Sequence, residues 1–131
     1  MDHLTIIGLF AASFLAFIAY AKKQEHNRRL ALEKVAINLG FDFEASPHKG
    51  VIDYYRNFRL FNQGRGREIK NLMNKKSGEN YTKIFGYRYT TGSGNSRNIH
   101  WQTVVSFTNF NYRLPEFDLR PEHLLHKVGK V

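Results

Sequence analysis

Residues 81–107 read YTKIFGYRYTTGSGNSRNIHWQTVVSF, and their period decides the fold. In the first run the odd positions are Tyr81, Lys83, Phe85, Tyr87 and Tyr89; in the second they are Ile99, Trp101, Thr103, Val105 and Phe107. A period of two is the signature of a strand, because successive side chains point to opposite faces. The intervening Thr91-Gly92-Ser93-Gly94-Asn95-Ser96 is rich in turn formers and reads as a hairpin loop. The alternation predicts an antiparallel pair with Phe85, Trp101, Val105 and Phe107 buried on one face. Thr82, Arg88, His100 and Gln102 then take the other.

Upstream, Arg67–Asn74 fits a third strand less well, since Ile69 and Leu72 are out of phase; a bulge would restore the match. Ser77-Gly78 marks the turn between the two strands. Before it, Val51, Tyr54, Tyr55 and Phe58 sit at helical spacing with Asp53 in the first turn, and Phe58–Phe61 leads towards a strand. Phe41–Gly50 reads as a connection broken by Ser46-Pro47. Downstream, Asn109–Leu119 suits an edge segment that tolerates Pro115. Pro121-Glu122 suits the first turn of a short final helix holding Leu124, Leu125 and Val128.

Near the N-terminus, Leu4–Ala21 reads LTIIGLFAASFLAFIAYA, eighteen residues without a charge, Asn, Gln or Pro. As a helix it would span about 27 Å, close to the hydrocarbon thickness of a bilayer. Ala19-Tyr20-Ala21 has the form of a cleavage site, but the flanking charges oppose a secretory signal. Met1-Asp2-His3 carries no Lys or Arg, whereas Lys22, Lys23, Arg28 and Arg29 follow the apolar run. Basic residues hold their end of a span in the cytoplasm. The expectation is a retained single span in the cell inner membrane or plasma membrane, N-terminus outside and C-terminal domain cytoplasmic. The helix should continue past the membrane, because Leu32, Val35, Ala36 and Leu39 form one apolar stripe that Gly40 terminates. The predicted organisation is a transmembrane helix over 4–21, a juxtamembrane helix over 22–40 and a small basic domain over 41–131. The fold class is α+β: the long helix, then a three- to four-stranded antiparallel meander with short helices.

Composition narrows the chemistry. The 131 residues contain 20 Lys+Arg against 11 Asp+Glu, a formal charge of +9, and no cysteine. Disulfide scaffolds, thiolate metal sites and thiol catalysis are therefore excluded. With 42% hydrophobic and 15% aromatic residues, the chain has enough apolar surface to fold.

Several strings resemble an uncharacterised family of bacterial single-pass membrane-anchored proteins. They are Leu39-Gly40-Phe41, the LFNQGRGR run at 60–67, IFGYRYTTGSG at 84–94, QTVV at 102–105 and LPEFDLRPE at 114–122. The resemblance covers residues 30–126 and implies an N-terminal span with a cytoplasmic α+β domain, without a known chemistry. Members of that family tend to carry Asp at the position of Gly86 and run on past that of Val131, so this chain looks like a member shortened at its C-terminus.

The search for a catalytic constellation returns bland readings first. Gly64-Arg65-Gly66-Arg67 lacks the spacing and Lys-Ser/Thr of a phosphate-binding loop; it is a turn with solvated charges before it is an anion nest. His123 and His126, spaced i, i+3 beside Glu122, could hold one edge of a metal with Asp118 or His100, but surface histidines on a terminal helix explain them better. Glu116, Asp118 and Glu122 pair with Arg113 and Arg120 more naturally than they form an acid/base couple. No cofactor or metal is called for.

Residues 56–76 carry Arg56, Arg59, Arg65, Arg67, Lys70, Lys75 and Lys76 against Glu68 alone. With Tyr87, Tyr89 and Trp101 nearby, this could serve single-stranded nucleic acid, though those aromatics are also the best core candidates. Proximity to anionic lipid favours the membrane surface instead. The candidate lipid-facing residues are Lys22, Lys23, Arg28, Arg29, Arg65, Arg67 and Lys70. The expected role is non-enzymatic binding or scaffolding at the cytoplasmic face. Expected partners are the membrane, anionic headgroups and an unidentified protein, with nucleic acid disfavoured. The alternative is an enzyme on an anionic lipid or phosphate-bearing substrate, using His100 or His123 with an acid.

Overall fold

The structure, a computed structural model, describes residues 2–113. The first element, α1, is one unbroken helix of 36 residues, His3–Asn38, so the apolar run and the juxtamembrane segment are continuous. It is long and apolar enough to cross a membrane, and the rest of the described chain covers none of its apolar stretch. A buried core helix would be covered.

Gly40 ends α1 as its position suggests. At φ +73° it takes the left-handed conformation, the Phe41 N–H donates to the Ala36 carbonyl (2.8 Å), and the Gly40 N–H donates to Ile37 (3.1 Å). This is the paired bonding of a Schellman stop. A short strand follows, β1 (Asp42–Glu44), inside the segment expected to be a connection. Then come α2 (Gly50–Tyr54) and a 3-10 turn (Arg59–Asn62). The long strands β2 (Arg65–Ser77), β3 (Asn80–Thr91) and β4 (Asn98–Asn109) complete an antiparallel sheet in the order β1-β2-β3-β4. The edge segment expected from Asn109 has no strand beyond Asn109 among the described residues. The final helix, with Leu124, Leu125 and Val128, lies outside them.

The phase problem in β2 is solved by bulges. Lys70 pairs with Gly86 but Met73 pairs with Ile84, so β2 carries one extra residue there. Asn71 absorbs it at φ 53°, and its N–H donates to the Ala45 carbonyl at 3.0 Å. Ile69 and Leu72 thereby reach the same face. A second register shift between Arg65 and Glu68 contains Gly66 at φ +59°.

One sheet face, the front, holds the core: Tyr55 and Phe61 over Ile69, Leu72, Phe85, Tyr87 and Tyr89. Tyr55 and Phe61 stack at 4.9 Å, and Phe61 lies 4.6 Å from Tyr87, centroid to centroid. Burial raises the phenols of Tyr55 and Tyr87 above the ordinary value of 10.0; the Ser106 side chain and Arg67 respectively pull the other way. A raised phenol favours the neutral, folded form. Its stabilisation is present below the unfolded value and fades as pH rises through the raised folded one.

β4 departs from expectation. Phe85 pairs with Val104 and Tyr87 with Gln102, so odd positions of β3 share a face with even positions of β4. His100, Gln102 and Val104 belong to the front. Trp101, Val105 and Phe107 belong to the back, with Thr82 and Arg88, and are 56%, 50% and 79% exposed. The period was legible; the phase between strands is set by the register of the hairpin, and a shift of one residue exchanges faces.

Denaturation of the detergent-solubilised chain, followed by far-ultraviolet circular dichroism, checks this assignment. Phe85→Ala should cost about 3–5 kcal/mol, the loss expected for a buried aromatic. Trp101→Ala should cost about 1 kcal/mol or less, the scale of an exposed cation–π contact. The reverse order would restore the face derived from alternation alone.

Candidate functional site

Where α1 passes the back of the sheet, Glu25 and Arg28 stand opposite Lys70, Gly86, Trp101 and Thr103 across an open cleft of about 210 Å³. Gly86, in the middle of β3, contributes no side chain to it; a Cβ there would meet only the Lys70 carbonyl oxygen, at 3.5 Å. Trp101 is flanked by cations, with Lys70 Nζ 5.8 Å and Arg88 Cζ 5.5 Å from its ring centroid. Glu68 ties these cations together, 3.9 Å from Lys70 and 3.5 Å from Arg88. The result is a half-exposed indole held by two cations, facing the polar stretch of α1.

The seven candidate basic residues divide by role. Lys22, Lys23, Arg28 and Arg29 are all exposed on α1. Arg28 and Lys70 both line the cleft, a juxtaposition across 42 positions of chain that spacing alone does not reveal. Arg65 is exposed at the start of β2. Arg67 is engaged: its Nη1 donates to the Phe61 carbonyl at 2.7 Å and holds the 3-10 turn to β2. The glycines of Gly64-Arg65-Gly66-Arg67 serve the chain itself. A Cβ on Gly64, at φ +61°, would collide with the Thr90 carbonyl, and Gly66 occupies the bulge.

The other candidates fare differently. Tyr87 and Tyr89, considered as stacking platforms, are core residues at 0% and 6% exposure; of those three aromatics only Trp101 offers an open ring. His100 stacks on Tyr89 at 4.7 Å and shares a 2.7 Å hydrogen bond with the Thr91 hydroxyl, which commits both its ring and its Nε2. Among the described residues no three His, Cys, Asp or Glu side chains gather. Glu116, Asp118, Arg120, Glu122, His123 and His126 lie outside the described residues, and Arg113, just inside them, is exposed. Trp101 was missed as a surface residue because an aromatic at an alternating position reads as core. The mid-strand Gly86 was the available signal, since glycine there marks a close approach or an opening.

Comparisons with protein-family models, with curated proteins and with solved structures find no match, so the functional reading rests on the chain's own geometry.

Two arginine variants separate structural from free charge. Arg67→Gln should lower unfolding stability by about 1.5 kcal/mol, the scale of a charge-assisted hydrogen bond. Arg65→Gln should leave it within about 0.5 kcal/mol. Equal losses in denaturation would contradict the division.

Proposed function

We propose that this protein is a single-pass membrane-anchored binding or scaffolding module without catalytic activity, whose α+β domain stands at the cytoplasmic face. The observation that carries the reading is the continuity of α1. Its apolar half is uncovered, and its polar half runs on without a break to pack its end against β1 and β2. Such a helix holds a small domain at a set height above the bilayer. Lys22, Lys23, Arg28 and Arg29 support the cytoplasmic orientation, and each is worth about 1 kcal/mol beside anionic headgroups. The order of motifs in residues 30–126 supports membership of the bacterial membrane-anchored family that the chain resembles.

The sheet edge supports a binding role. β4 has no charged residue and no proline over its 12 residues, and no strand pairs with its outer edge among the described residues. Natural edges are usually blunted by charge, proline or cover. Backbone groups on an unblunted edge can accept a further strand from a protein partner.

Because the chain has no cysteine, single introduced thiols report topology cleanly. In right-side-out membrane vesicles, Asp2→Cys should react with a membrane-impermeant maleimide. Glu79→Cys, in the exposed β2–β3 turn, should react only after permeabilisation. The opposite pattern would refute the cytoplasmic placement, and a mature chain beginning at Lys22 would refute the anchor.

A further inference from the structure

The sheet has a membrane end and a distal end, and they differ in charge. A hydrogen bond and a shared cleft set the direction. At the far end of α1, Lys75 Nζ donates to the Leu39 carbonyl at 2.8 Å. Nearer the apolar run, Glu25 and Arg28 face Lys70 and Gly86. Lys75 pairs with Thr82 and Lys70 with Gly86, so between these points the sheet advances about 13 Å along β3. From Leu39 to Arg28, α1 advances about 16 Å. The long strands therefore run alongside α1, and rising numbers in β3 lead towards the membrane.

Glu25 and Arg28 lie about 6 and 10 Å along the helix past Ala21, where the apolar run ends. The headgroup layer is about 5–8 Å deep on each side. The cleft is thus already at the outer margin of that layer. The sheet continues beyond it by roughly 13 Å, through Arg88 and Trp101 to Thr90 and Ile99. Arg65, the partner of Thr90, and the hairpin loop with Arg97 lie at the same end.

Charge follows the same axis. The membrane end of the sheet carries Arg65, Arg67, Lys70, Arg88 and Arg97 against Glu68 alone. The distal end carries Lys75, Lys76 and Lys83 against Asp42, Glu44 and Glu79, which cancel. Exposed apolar side chains run along the whole back of β4, with Trp101 56% and Ile99 47% exposed at the positive end and Val105 50% and Phe107 79% exposed at the distal end, so charge is what distinguishes the two ends. A basic rim around an exposed indole matches the anionic, amphipathic interface of a bilayer, where Trp is favoured.

We propose that the β3–β4 hairpin end of the sheet is a second membrane contact, seated in the anionic headgroup layer of the bilayer that α1 crosses. Trp101 enters that layer, Ile99 reaches the hydrocarbon boundary, and the long side chains of Arg65 and Arg97 extend back to lipid phosphates. The proposal rests on α1 being the anchor.

Trp101 is the sole tryptophan, so its emission reports this contact alone. The full chain is reconstituted into phosphatidylglycerol-containing vesicles with and without lipid brominated high on the acyl chain. Blue-shifted emission is expected, with most of its intensity lost to the brominated lipid and little lost to aqueous iodide. Arg65→Gln combined with Arg97→Gln should weaken the lipid quenching and restore quenching by iodide. Emission typical of water, quenched by iodide and untouched by brominated lipid, would overturn the proposal if the chain resists alkaline extraction. Blue-shifted emission untouched by either quencher would also overturn it, in favour of a second copy covering Trp101. Extraction by alkali would instead bring down the anchor reading itself.

Discussion

Ala36 is fully buried, Gly40 turns the chain in the left-handed conformation, and the Lys75 ammonium donates to the Leu39 carbonyl at 2.8 Å. Together these contacts join the last turn of α1 to the sheet, and the placement of the domain depends on that joint. Lys75 also lies 5.4 Å from the centroid of Phe41, so one side chain closes the stop on two sides. Without the joint, α1 and the sheet would be separate bodies linked by a turn. With it, the position of the sheet follows from the direction of the helix.

The two faces of the sheet have different covers because they have different neighbours. The front meets α2 and the 3-10 turn and buries an aromatic cluster of Tyr55, Phe61, Phe85, Tyr87 and Tyr89. Among the described residues the back meets only α1, which packs on β1 and β2, so the β4 side of that face stays open. Trp101 is held there by Lys70 and Arg88, and the cations are in turn held by Glu68. The open indole on the back is therefore positioned by cations that Glu68 holds, whereas the side chains in the front core are positioned by packing.

Much of this was legible in residues 3–109, and what was missed has a physical explanation. The apolar run, the continuation of the helix and the Gly40 stop follow from local chemistry, which sequence carries directly. The bulge in β2 was legible because Ile69 and Leu72, three apart, cannot share a face of a regular strand. The face of β4 was not legible. Alternation reports the period of each strand but not the register between strands, and Phe85 pairing with Val104 reverses the expected phase. β1 was too short to show a period, at three residues. The juxtaposition of Arg28 and Lys70 depends on how α1 lies across the back, and the tie between Arg67 and Phe61 depends on the turn returning over the front. Neither is encoded in spacing.

α1 runs from its apolar stretch to the sheet as one unbroken helix. Residues 22–31 are the critical segment, because all ten are exposed and none is packed in a core. Amide hydrogen exchange of the full chain in anionic vesicles measures the continuity of the helix directly. Slow exchange is expected throughout residues 22–38, with no break at Lys22–Arg29. Fast exchange confined to residues 22–31, with the sheet still protected, would show a flexible tether and contradict that continuity.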